Sequence, residues 1–243
     1  SGAIGPVRKV AAWSSICYYP WGHAYWSSQL GVRPTETPPL PEGMDWDLWI
    51  GPAPMRPYHP TYHPLTWRSW HDFGCSMMGD RGVHTLDVIF WALKLGAPET
   101  IEASCTDIND ETHPVAGLVR FTFPARGDMP PVELLWYDGL MPPGYPGIEH
   151  SRLLGANEGG ILMEGDDGFL TAGIYANSPM LLPQDKFKGT PPAPESIPRI
   201  KGSHEEGWIA AIKEDRPACA GFDYAGPLTE MCLLGNVAKR TPG

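Results

Sequence analysis

Between Pro34 and Pro64 the chain carries nine prolines. Each one locks its own φ and removes a backbone N–H, so neither a long helix nor an inner strand can pass through this stretch. Disorder is not the alternative. Trp46, Trp49, Tyr58, Tyr62, Trp67 and Trp70 lie in or just after the segment, and so much aromatic area is costly to leave in water. The expectation is a long, ordered Pro/Trp-rich coil over about 34–74. A second coil is expected over 178–198, where Pro191, Pro192 and Pro194 cluster.

Regular structure must come from the remaining sequence. A β-type run opens at 7–16. Over 99–107, Ile101, Ala103 and Cys105 alternate with Glu102, Ser104 and Thr106; over 117–123, Val119, Phe121 and Phe123 alternate with Leu118, Arg120 and Thr122. Such period-two patterns predict half-buried strands. Further strands are predicted over 132–137, 160–164 and 169–175, the last two joined by the turn Gly165-Asp166-Asp167-Gly168. Short turn-rich links favour antiparallel pairing. Helices are predicted over 80–95, 204–214 and 224–239. Gly96 and Pro98 stop the first, and Asp223 is placed to cap the last. Strands in a block with helices at either end predict an α+β fold. The sheet would be mostly antiparallel, in a single domain over 1–243.

Lys and Arg number 18 against 28 Asp and Glu, a net charge of −10, which argues against nucleic-acid or anionic-membrane partners. No apolar run is long enough to span a bilayer and no signal peptide opens the chain. The compartment stays open. Cys17, Cys75, Cys105, Cys219 and Cys232 are widely spaced with no C-x-x-C pair, a pattern of free, mostly buried thiols rather than disulfides or a zinc site. His59 and His63 sit in proline coil, so helical ligand spacing does not apply to them and no metal site is expected. Dinucleotide, P-loop, nucleophile-elbow and zincin motifs are all missing from the sequence.

The stretch Gly79-Asp80-Arg81-Gly82-Val83-His84-Thr85-Leu86-Asp87 carries the chemistry. On a continuous helix Asp80, His84 and Asp87 fall at i, i+4 and i+7, on one stripe. Imidazole titrates near neutrality, and a neighbouring carboxylate fixes its tautomer, which is what a proton-transfer step needs. The plainer alternative makes Asp80 a helix N-cap and His84 a polar first-turn residue. Trp67, Arg68, Trp70 and Asp72 would approach the same helix end. Aromatic faces stack on sugar rings while Arg and Asp bind hydroxyls, so a polyol ligand suits them, and core packing for the two tryptophans is the competing reading. Arg56, Tyr58 and His59 would line the same cleft or pin the coil.

Several long motifs resemble the bacterial Gfo/Idh/MocA oxidoreductases: Trp46-Asp47-Leu48-Trp49-Ile50-Gly51-Pro52-Ala53, Arg56-Pro57-Tyr58-His59-Pro60, Trp67-Arg68-Ser69-Trp70-His71-Asp72-Phe73-Gly74, the Gly79–Asp87 segment, and Phe222-Asp223-Tyr224-Ala225-Gly226-Pro227-Leu228-Thr229-Glu230. The resemblance implies the family's C-terminal α/β domain alone, built on a large open sheet with helices on one face, without the N-terminal Rossmann domain that holds NAD or NADP or the catalytic lysine it carries. It implies His84 as the residue that moves a substrate hydroxyl proton and Asp80 as its partner. Trp67, Arg68, Trp70, Asp72, Asp87 and Tyr58 are the candidate substrate contacts. No cofactor-binding residue is assigned within this chain. The implied activity is the substrate half of an NAD(P)-dependent oxidoreductase acting on a sugar, cyclitol or related polyol, assembled as a homo-oligomer through the open sheet face. The alternatives are a non-catalytic carbohydrate-binding or assembly module, and an NAD-dependent glycoside-cleaving enzyme.

Overall fold

A computed structural model describes residues 2–15, 33–64, 66–106, 108–139, 154, 158–197, 199, 202–214 and 216–241. Cys17 and the end of the first predicted strand lie outside them. Among the described residues seven strands form one sheet: β1 (Val7–Ser14), β2 (Thr100–Cys105), β3 (Gly117–Phe123), β4 (Val132–Asp138), β5 (Gly159–Gly165), β6 (Gly168–Gly173) and β7 (Met180–Leu182). Their order is β2-β3-β4-β1-β5-β6-β7. Two meanders, β2-β3-β4 and β5-β6-β7, flank β1. Only the β1–β4 pair is parallel. The α+β architecture and the mostly antiparallel sheet match the sequence-based expectation.

The period-two patterns set the faces. Val119, Phe121, Phe123, Leu134, Trp136, Val10, Ala12 and Ile161 point to one side and form the main core with helix residues Met78, Leu86, Ile89, Leu228 and Met231. The other side carries a smaller cluster of Ala11, Trp13, Tyr137 and Leu162, edged by Leu118, Leu135, Leu154 and Phe169. The single core expected is thus one large cluster under the helices and a minor one on the opposite face.

The helices are α1 (Trp46–Ile50), α2 (Ser76–Asp80), α3 (Gly82–Ala92), α4 (Gln184–Phe187), α5 (His204–Glu214) and α6 (Phe222–Arg240), with a 3-10 turn at Thr66–Ser69. Several expectations need correction. The helix predicted over 80–95 is two helices broken at Arg81, with Asp80 ending α2. Asp80 is therefore not an N-cap, and Asp223 lies in the first turn of α6 behind the N-cap Gly221. The proline coil encloses α1, which fits between Pro41 and Pro52 and is capped by Asp45 Oδ1 accepting from Leu48 N at 3.0 Å. The second coil begins with β7 and α4. Cysteines were expected mostly buried; Cys232 is, but Cys75 and Cys219 are exposed and Cys105 is half-buried.

The proline coil folds onto its own aromatics. Trp46 and Trp49 stack at 4.6 Å, Tyr58 meets Trp46 edge-on at 5.3 Å, and Tyr62 meets Trp70 at 4.8 Å. Arg56 is buried at the centre, over the Tyr62 and Phe73 rings and paired with Asp72 and Glu111. Burial alone would make that charge costly; the two carboxylates and the rings offset it.

Candidate functional site

The strand ends meet at one edge of the sheet. Ser14 ends β1 opposite Gly159, which starts β5, and Gly160 is opposite Gly173, which ends β6. The junction of α2 and α3 lies over the same edge: Ser14 Oγ contacts Met77 Sδ at 3.7 Å. Side chains from four separate stretches gather there. Arg68 Nε donates to Asp80 Oδ2 at 2.9 Å, and its guanidinium lies 4.4 Å over the Trp67 ring. Arg81 Nε lies 3.8 Å from Asp80 Oδ1, while Arg81 Nη1 reaches Glu158 Oε2 at 3.0 Å and donates to the Tyr175 hydroxyl at 2.6 Å. The Tyr175 ring stands edge-on to the His84 imidazole, centroids 5.2 Å apart. His84 is exposed, and its imidazole makes no hydrogen bond among the described residues. An accessible, unengaged imidazole beside fixed charges can accept or deliver a proton at a ligand's hydroxyl.

The break at Arg81 explains the geometry. Gly79 N–H and Arg81 N–H close α2 on Cys75 and Met77 carbonyls, and the Arg81 carbonyl then accepts from His84 and Thr85 N–H groups to start α3. The carboxylate of Asp80 turns to Arg68 and Arg81 and forms no bond to His84 among the described residues.

The other sequence-derived candidates are spread out. Trp67, Arg68, Asp80 and His84 stand in the cluster. Asp87 faces α6, where its carboxylate accepts from the Tyr224 hydroxyl at 2.5 Å, and burial followed by that carboxylate pushes the phenol pKa up. Trp70 is 3% exposed and donates its indole N–H to the Thr61 carbonyl at 3.1 Å. Asp72 pairs with Arg56, and Tyr58 lies on Trp46, both within the aromatic coil. Arg81, Glu158 and Tyr175 were not singled out from the sequence. The only signal for Tyr175 was its place at the end of a predicted strand. His59 and His63 stay in coil, and no group of three or more His, Cys, Asp or Glu side chains converges as a metal site among the described residues.

A second polar cluster lies farther along the same edge, deeper in the fold. Lys239 Nζ is buried against Asp138 Oδ2 at 2.5 Å and Ser76 Oγ at 3.2 Å. Ser76 Oγ donates to Asn236 Oδ1 at 3.0 Å, and Asn236 Nδ2 donates to the Cys75 carbonyl at 2.7 Å. This network fastens the start of α2 to α6 and so fixes the helix that carries Asp80.

A mostly antiparallel sheet with helices over one face defines an α+β domain. Residues 1–123, just over half of the chain, match the C-terminal alpha/beta domain of an oxidoreductase family, GFO_IDH_MocA_C2. The chain belongs to the Gfo/Idh/MocA oxidoreductase family. Similar solved structures include a protein assigned as an oxidoreductase from Thermotoga maritima (16% identity, TM-score 0.45, 99% of this chain and 55% of that one). Another is the UDP-N-acetylglucosamine 3-dehydrogenase GnnA of Acidithiobacillus ferrooxidans (11%, 0.41, 98% and 55%). A third is an oxidoreductase from Agrobacterium radiobacter in complex with NAD+, L-tartaric acid and magnesium (12%, 0.37, 96% and 54%). The chain spans about half the length of these proteins. No curated protein matches it. Among the described residues no helix is long and apolar enough to cross a membrane.

The pyrophosphate of a dinucleotide is held by a glycine-rich turn from a strand into a helix N-terminus. Among the described residues β6 and β7 are joined by a loop rather than a helix, and the helix after β7, α4, begins behind Pro183 with no glycine turn.

Proposed function

We infer that this chain is the substrate-binding and acid/base half of an NAD(P)-dependent oxidoreductase acting on a sugar, cyclitol or related polyol, with the dinucleotide held by residues outside this chain. The observation that carries the reading is the exposed, unengaged His84 beside the Arg68–Asp80–Arg81 ion network. Oxidising a carbinol to a carbonyl removes a proton from oxygen as well as a hydride from carbon. His84 takes the proton. Asp80 acts one step back, holding Arg68 and Arg81 where their guanidiniums meet ligand oxygens. A homo-oligomer belongs to the same reading, through surface other than Ala11, Trp13, Tyr137 and Leu162, which one chain already buries.

His84→Asn in the complete enzyme keeps size and polarity but cannot take a proton. Polyol-dependent reduction of NAD(P) should fall by about 10²–10⁴-fold with ligand binding retained, the range expected for a lost general base. Unchanged turnover would remove His84 from the chemistry. The same assay on the wild type separates this reading from a non-catalytic carbohydrate-binding module, which binds polyols and reduces no cofactor.

A further inference from the structure

The loop between β6 and β7 carries backbone strain at two residues. Ala176 and Ser178 both adopt left-handed backbone, with φ of 57° and 52°. Non-glycine residues hold such conformations only where the surroundings impose them, and such outliers gather at functional sites. The loop is closed by its own hydrogen bonds: Gly173 N–H donates to the Asn177 carbonyl at 2.9 Å, and Ala176 N–H donates to the Gly173 carbonyl at 2.9 Å. A Cβ at position 173 would stand 2.4 Å from Asn177 Oδ1, so the Asn177 amide lies close against the Gly173 backbone.

At the tip of this loop sits Tyr175, 57% exposed. Burial of the ring therefore does not explain the strain. What the loop does fix is position: the hydroxyl accepts from Arg81 Nη1 at 2.6 Å and the ring stands beside His84. Because Arg81 fills an oxygen lone pair, the hydroxyl hydrogen can donate to a ligand oxygen. Trp67, the aromatic expected to stack on a sugar, has one face covered by the Arg68 guanidinium. Tyr175 has an accessible ring at the histidine itself.

We propose that Tyr175 is a specificity-determining, substrate-contacting residue, its ring forming the wall on which the apolar C–H face of a sugar or cyclitol ring lies while a ring hydroxyl meets His84. The proposal rests on the polyol reading above. Arg81 and the Gly173–Asn177 loop position the phenol, and Glu158 pairs with the same Arg81 Nη1 that donates to it.

The test is saturation-transfer NMR on the 243-residue chain with myo-inositol, D-glucose and methyl β-D-glucoside as probes, comparing wild type, Tyr175→Ala, Tyr175→Phe and His84→Ala. At least one probe should receive saturation at its ring C–H protons from the wild type. Tyr175→Ala should weaken that binding about tenfold, the size of a lost ring stack. Tyr175→Phe should keep the ring contact and lose only a few-fold, and His84→Ala should bind within that smaller margin. Unchanged binding by Tyr175→Ala overturns the proposal and leaves the His84 reading standing. Failure of all three probes to bind the wild type overturns both. Undiminished turnover of His84→Asn in the complete enzyme, together with weakened binding by Tyr175→Ala, overturns the acid/base assignment alone.

Discussion

Lys239 is the most deeply committed charge among the described residues. Its ammonium is buried with the Asp138 carboxylate, and Ser76 supplies a further partner. Replacing Lys239 with Met removes one half of a buried pair and leaves a carboxylate without its cation, a loss of about 3–5 kcal/mol. Urea unfolding should show that loss, and Lys239→Met/Asp138→Leu should recover a large part of it, since an apolar pair of similar volume strands no charge. Equal stability for Lys239→Met and wild type would mean that the network does not hold α6 to the sheet. At this scale the sequence showed less than at any other. The composition of the 79–87 segment pointed to His84, and the exposed imidazole is there. The partner chosen for it, Asp80, is taken by two arginines instead, and α2 ends at Asp80 rather than starting there. Tyr175 and Glu158 reach the site through strand register, which no local pattern of residues records.

Elements were far more legible. Alternation marks one buried face, and β3 runs over Gly117–Phe123 with every second residue buried, as its pattern requires. Helix α5 spans His204–Glu214 and α6 extends the predicted span by only a residue or two at each end. What stayed hidden were short elements inside proline-rich sequence, α1, β7 and α4, where five residues or fewer leave no period to detect. A pH response is carried by coil between the elements. The segment after Trp70 is tied to the stretch around Thr112 by a bridge and by two histidines whose rings stand 4.2 Å apart. His113 Nε2 lies 2.9 Å from the Gly74 carbonyl, and burial pushes its pKa from 6.5 down to about 3, with His71, Lys239 and Arg240 adding to the shift. Burial lowers His71 as well. An unfolded histidine titrates near 6.5, so below that pH the unfolded chain binds more protons than the folded one. The contribution of His113 is therefore complete above about pH 6.5 and is lost as pH falls toward 3, by up to about 1.4 kcal/mol per pH unit, and His71 acts in the same direction. Thermal midpoints measured from pH 7 to pH 4 should fall continuously, and His113→Gln should flatten the slope. An equal slope in that variant would place the acid sensitivity elsewhere.

Over the whole molecule, the helices divide into those that hold the sheet and one that holds nothing described. The inner faces of α2, α3 and α6 supply Met78, Leu86, Ile89, Leu228, Met231 and Cys232 to the main core. None of the residues of α5 is buried, yet Trp208 is 66% and Ile212 67% exposed, one turn apart on a single face. The outer side of α6 adds Phe222, 93% exposed, with Leu233 and Val237 along the same shallow groove. Grouped apolar side chains such as those along α6 mediate association, unlike scattered single ones. A net charge of −10 keeps such a chain dispersed without covering the patch. The isolated chain should therefore bind Nile red, an uncharged dye that the protein's charge does not repel, while its circular dichroism remains that of the folded state. Ile212→Lys should cut the fluorescence with no loss in thermal midpoint, because the side chain it replaces packs on nothing described. Weak fluorescence from the wild type would show that these faces are covered in solution, and a midpoint lowered by Ile212→Lys would show that α5 is held by the rest of the chain.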